Sequence, residues 1–134
     1  MSIQLSTAVR NAQLDVWETT IGTAPKLQIR TGAQPANCAA ADSGTLLAEI
    51  VLASDWAAAA SGGSKALIGT PSIAAVDTGT AAHYRLKDSA GTTCHEQGTV
   101  TAVAGGGDIE IDNVSITSGQ TVTLSTLSRS AANS

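Results

Sequence analysis

The chain has 134 residues, enough for one ordinary domain built around one hydrophobic core. Charged residues make up only 13% of it and the formal net charge is −4, so there is no basic stripe to neutralise phosphates and nucleic acid is not an expected partner. Phe is absent and the aromatic fraction is 2%, which leaves Leu, Ile, Val and Ala to build the core. Ala buries little apolar area, and burial gains only about 25 cal/mol per Å², so contacts with a partner are expected to add stability.

The opening Met1-Ser-Ile-Gln-Leu-Ser-Thr shows neither a positive region followed by an apolar run nor a lipidation signal, and no later stretch is long enough to cross a bilayer. Synthesis in a cytoplasm, with no membrane partner, is the expectation. Cys38 and Cys94 have no CxxC spacing, and the chain offers no companion ligands for zinc. Two reduced thiols are expected in such a compartment.

The first element is a helix. Ser6 is a good N-cap, residues 7 to 21 contain neither Gly nor Pro, and Gly22 followed by Pro25 supplies a stop. At 100° per residue, Asn11, Asp15 and Glu18 form a narrow polar stripe between two apolar flanks. Val9, Ala12 and Val16 lie on one side, and Leu14, Trp17 and Ile21 on the other. Two apolar flanks need two surfaces. The Leu14, Trp17 and Ile21 flank is therefore read as the protein interface, covered by another chain or by a second layer of this one.

After the helix the period changes from 3.6 to 2. Leu27 and Ile29 alternate with Lys26, Gln28 and Arg30, then a Gly-Ala-Gln-Pro-Ala-Asn-Cys loop breaks the strand. Residues 46 to 52 read as a well-buried strand. Residues 54 to 63 read as a long loop pinned by Trp56, and short strands follow around Ala66 to Gly69 and Ser72 to Val76, with Pro71 between them.

The clearest hairpin joins His83–Lys87 to Thr92–Gln97 through Asp88-Ser89-Ala90-Gly91. A three-residue loop with Gly91 in the left-handed region pairs Leu86 with Cys94 and Tyr84 with Glu96, and puts His95 outward beside Arg85. A four-residue loop would instead pair Arg85 with Cys94. The first register collects the apolar side chains. Similar turns, Asp42-Ser-Gly-Thr, Asp77-Thr-Gly-Thr and Asp88-Ser-Ala-Gly-Thr, recur before strands, as reuse of a favourable turn. Beyond the flexible Ala104-Gly105-Gly106-Gly107, strands are expected at Ile109 to Ile111, Val114 to Ile116 and around Val122 and Leu124. Such a run of short strands and turns argues for a mainly β domain spanning 1–134, an antiparallel β-sandwich or jelly roll with one N-terminal α-helix.

Little in the chain suggests catalysis. His95 and Glu96 are adjacent in a strand and point to opposite faces, and no hydrolase, zinc-protease or phosphate-loop signature is present. Asp108, Glu110 and Asp112 share one strand face, but same-face neighbours lie about 6.8 Å apart, too far for one ion to be held by all three. They read as a solvated acidic face. No enzyme activity, cofactor or metal is expected.

The opening segment through Asp15, Lys26-Leu-Gln-Ile-Arg-Thr-Gly-Ala-Gln-Pro-Ala-Asn-Cys38, Ser54-Asp55-Trp56, Asp88-Ser-Ala-Gly-Thr-Thr-Cys-His95, Gly106-Gly-Asp108 and Ser118-Gly-Gln-Thr-Val122 resembles a group of small proteins encoded in tailed bacteriophages and prophages. The resemblance spans nearly the whole chain and implies a virion or virion-assembly role without catalytic residues. Within that setting a homo-oligomeric capsid decoration or cement protein that binds the major capsid protein fits best, being small, acidic and β-rich. The alternative is a neck, tail or fibre-associated virion protein. A polysaccharide-active enzyme is disfavoured by the shortage of aromatic side chains for sugar stacking.

Overall fold

A computed structural model describes residues 3–131. One helix, α1 (Thr7–Ile21), precedes nine strands: β1 (Lys26–Thr31), β2 (Leu46–Val51), β3 (Ser64–Ala66), β4 (Ser72–Ala74), β5 (Gly79–Lys87), β6 (Cys94–Ala102), β7 (Ile109–Ile111), β8 (Ser115–Ile116) and β9 (Thr121–Ser130). The helix begins and ends where local chemistry places it. The Ser6 side chain accepts a hydrogen bond from the Val9 amide, and Gly22 at φ +89° returns its own amide to the Glu18 carbonyl.

Hydrogen bonding runs continuously through the order β2-β1-β5-β6-β7-β9-β3, with β4 beside β9 and β8 beside β5. The result is one curled mixed sheet. Its curl closes where the Val76 amide, just past β4, donates to the Leu47 carbonyl on β2 at 2.8 Å. The strands thus lie on one hydrogen-bonded path, with β4 and β8 beside it.

One pairing departs from the antiparallel expectation. β6 and β7 run parallel, with Val100 opposite Ile109 and Ala102 opposite Ile111. Parallel neighbours ordinarily need a crossover of a dozen or more residues, yet here residues 103 to 108 suffice. The glycine triplet makes this possible. Ala104 and Gly106 take positive φ, the Gly107 amide is held by Thr101 Oγ1 at 3.0 Å, and a Cβ on Gly105 would stand 2.6 Å from that threonine's side chain. Far from being a slack tether, the connection is a tight double reversal.

The hairpin adopts neither expected register. Leu86 lies opposite Glu96 and Lys87 opposite Cys94, with a bulge between Leu86 and Lys87. Gly91 is left-handed as foreseen, at φ +74°, but the loop is longer because Asp88 organises it. Its amide donates to the Thr93 carbonyl, and its carboxylate accepts from the Thr92 and Thr93 amides at 3.0 and 3.3 Å. β3 lies earlier than expected, sharing only Ala66 with the 66–69 range, and β4 starts at Ser72 as expected but ends at Ala74, because each is set by pairing with β9.

The interior is filled by Leu27, Ile29, Ile50, Leu86, Ile109, Ile111, Val122 and Leu124, joined by Tyr84 and Trp56. Trp56 pins its loop as expected: it is 1% exposed and its indole N–H donates to the Gly22 carbonyl at 2.9 Å. With so few aromatics, each one is placed at a junction between elements.

The 103–108 reversal yields a graded test. Gly106 has open space around it, so Gly106→Ala should cost about 1 kcal/mol of left-handed strain alone. Gly105→Ala drives a methyl into Thr101 and the Ala102 carbonyl and should cost roughly 2–3 kcal/mol by urea unfolding. Equal costs would mean the loop rearranges freely.

Candidate functional site

β1, β2, β5 and β6 present two faces of opposite character. Leu27, Ile29, Ala48, Ile50, Tyr84 and Leu86 point to the apolar interior. The other face carries Gln28, Arg30, Glu49, His83, Arg85, Lys87 and Gln97, and alternation alone would put it in water. It is instead roofed by the 32–45 loop, which leaves His83 and Arg85 each 1% exposed and Lys87 6%.

The roof is held by charge and by carbonyl groups. Arg85 Nη1 donates to the Ala40 carbonyl at 2.9 Å and to Asp42 Oδ1 at 2.8 Å, Nη2 to the Cys38 carbonyl at 2.7 Å, and Nε to Cys94 Sγ at 3.3 Å. Lys87 Nζ reaches Asp42 Oδ2 at 2.6 Å and Arg30 reaches the same oxygen at 3.2 Å. Gln97 donates to the Pro35 carbonyl and His83 Nδ1 to the Gly32 carbonyl, both at 2.7 Å. Partial burial works against ionisation of Asp42, but the Lys87 hydrogen bond and the charges of Arg30, Lys87 and Arg85 hold its carboxyl below the usual range. Three of the recurrent Asp turns thus diverge in use. Asp77 and Asp88 cap their own turns, whereas Asp42 turns inward to serve three cations.

A second polar cluster sits between helix and sheet. Glu96 accepts from Tyr84 Oη at 2.7 Å, from Arg129 Nε at 2.6 Å and from Trp17 Nε1 at 3.1 Å. Arg129 also bonds the Tyr84 hydroxyl and lies over the Trp17 ring, 5.7 Å from its centroid. Trp17 meets Trp56 edge to face at 4.8 Å. Burial first, and the Glu96 charge next, push the Tyr84 hydroxyl far up. Gly98, opposite Tyr84, leaves room for its ring, since a Cβ there would come within 2.9 Å of it.

These contacts place the three residues expected at an interface. Leu14 is 6% and Ile21 3% exposed, and both are buried by this chain's own packing, while Trp17 is half-buried in the Glu96 cluster. The covering layer is the protein's own sheet, so the flank has little surface left for another chain. The polar stripe beside it is tied to the 60–65 segment, although Asp15 itself stays exposed. Lys65, whose side chain is 1% exposed, bonds Asp15 Oδ1 at 2.9 Å and Glu18 Oε2 at 2.6 Å, and Asn11 Oδ1 takes the Gly63 amide at 2.9 Å. The flank that remains open is the other one, with Val9 46% and Val16 60% exposed. Open apolar side chains also occur on the 68–76 segment, at Ile68, Ile73 and Val76.

The remaining candidates do not assemble a reaction centre. Arg85 is buried, so His95 does not stand beside it on an open face; His83 is enclosed, and Glu96 is committed to three donors. Asp108, Glu110 and Asp112 each accept from nearby groups, namely the Thr99, Gly106 and Thr123 amides, and no metal-sized cluster of ligands occurs among the described residues. A cleft of about 600 Å³ lies between the C-terminal half of α1 and the 54–59 loop. Its acids Asp15 and Glu18 share one cation, Lys65.

Two outcomes follow from the polar clusters. Asp15, Asp42 and Asp88 all sit below the ordinary carboxyl value of 3.8, so their stabilisation is complete above that pH and is lost as pH falls through their lower folded values. Urea unfolding between neutral and strongly acid pH should show this loss, and Asp42→Asn should flatten it. Glu96→Ala leaves Arg129 and the Tyr84 hydroxyl without their acceptor. It should cost roughly 2–4 kcal/mol, somewhat below a fully enclosed pair because Arg129 keeps 25% of its side chain exposed.

No family model, no curated protein and no solved structure matches this chain.

Proposed function

We infer that this protein is a non-enzymatic structural component of a tailed-bacteriophage particle, a decoration or cement protein that binds the major capsid protein. The observation that carries the binding mode is the division of its side chains. The charged groups of the two clusters are engaged inside the fold, whereas Val9, Val16, Ile68, Ile73 and Val76 stay open. Exposed apolar side chains grouped on one helix flank and one strand segment are what a protein-binding surface requires. The virion setting is supported by the resemblance of nearly the whole chain to small proteins of tailed phages and prophages. The opposed walls of the curled sheet serve as a sandwich-like scaffold for that surface.

The test is particle imaging with this chain located and counted. Occupancy of the capsid lattice in high copy supports decoration, a handful of copies at one vertex would move the protein to the neck or tail, and absence from particles would overturn the virion reading. At residue level, Val16→Asp and Val76→Asp should each change stability by less than about 0.5 kcal/mol, as usual for exposed sites. Together they should reduce co-sedimentation with capsids. Leu14→Asp, in contrast, should unfold the chain. Undiminished binding by the doubly substituted protein would remove both surfaces from consideration.

A further inference from the structure

Cys38 lies in the roofing loop and Cys94 at the start of β6, far apart in sequence, yet both are held by one side chain. Arg85 Nη2 binds the Cys38 carbonyl while its Nε binds Cys94 Sγ. The Cys94 thiol is further oriented by donating to the Glu96 carbonyl at 3.2 Å. Both cysteines are free and neither is fully enclosed, so a small reagent can reach them. On either side of Cys38 the loop is fastened, through Pro35 to Gln97 and through Asp42 to Arg85 and Lys87. That fastening limits how far the two thiols can separate.

We propose that Cys38 and Cys94 are a modification site, an intramolecular disulfide formed by exchange with a low-molecular-weight disulfide, which locks the 32–45 loop onto the β5–β6 face. The inference is independent of the virion reading. In the first step the Cys94 sulfur, deprotonated to solvent, attacks the small disulfide; one small thiolate leaves with the electron pair and a mixed disulfide remains on Cys94. The Cys38 sulfur, losing its proton in turn, then attacks the Cys94 sulfur and expels the second small thiolate. Two protein thiols are oxidised, the small disulfide is reduced to two thiols, and the balance closes. Cys94 is the first attacker because Arg85 Nε and the Glu96 carbonyl hold its sulfur in a fixed direction. Cys38 is slow to ionise alone: burial, then its hydrogen bond with Cys94, push its thiol up to about 11. Attack by Cys38 therefore depends on being held beside its target, as an intramolecular partner is.

The experiment treats the folded full chain with oxidised glutathione, quenches with acid and reads the intact mass. The expected product is monomeric, lighter by two hydrogens, and inert to alkylation. In denaturant the same treatment should give separate glutathione adducts. Cys38→Ser should stop at one adduct on Cys94. The cross-linked protein should resist proteolytic cleavage within residues 32–45 and melt several degrees higher, with both gains reversed by a dithiol. A folded wild-type product bearing two adducts, an intermolecular dimer, or unreacted thiols would overturn the pairing. A disulfide that leaves both cleavage and melting unchanged would overturn the clamp.

Discussion

The buried guanidinium of Arg85 is the constraint around which the sheet's outer face is organised. A cation 1% exposed in the middle of a sheet is tolerable only if its donors are satisfied and its charge is opposed. Meeting that demand takes two loop carbonyls, the Asp42 carboxylate and a cysteine sulfur, and the partners from the loop all lie between residues 38 and 42. The loop is therefore no ornament on the fold. It supplies the acceptors without which β5 could not carry His83, Arg85 and Lys87 on one face, and Asp42 serves Arg30 and Lys87 in the same stroke.

The same principle fastens the helix. A short helix is marginal by itself and takes its stability from what it packs on. Here Leu14 and Ile21 supply apolar burial, while Lys65 and Asn11 tie the polar stripe to the 60–65 segment, and Trp17 joins Glu96, Tyr84 and Arg129. The Glu96 cluster connects α1, β5, β6 and β9, so residues from both ends of the chain meet at one carboxylate. In a protein with no Phe, such cross-links do part of the specifying that bulky aromatic packing does elsewhere.

This use of charge shapes the exterior. The cations Lys65, Arg85 and Lys87 are drawn inward, while most of the aspartates stay at the surface, and the net charge of −4 is spread over a chain with few charges in all. Among the side chains left outside are the aliphatic Val9 and Val16 on the helix flank and Ile68, Ile73 and Val76 on residues 68 to 76.

The sequence by itself determined what short-range chemistry controls. The helix lies at Thr7–Ile21 because Ser6, a Gly- and Pro-free run and Gly22 act within a turn of each end, and the alternation at residues 26–30 and 46–52 marks strands because side-chain direction is a backbone property. Gly91 was legible as left-handed for the same reason. Tertiary structure decided the rest. Whether Leu14, Trp17 and Ile21 or Val9 and Val16 faced inward could not be read from a helical wheel, since both flanks are apolar and only the position of the sheet separates them. The 86/96 register depended on Asp88 binding amides across the loop, and the parallel β6–β7 pairing on how the 103–108 reversal packs against Thr101. The burial of His83, Arg85 and Lys87 was beyond alternation altogether. Polar periodicity marks a face, but only a loop folding back from residues 32–45, with Asp42 at the right place, turns that face from a wet surface into an interior.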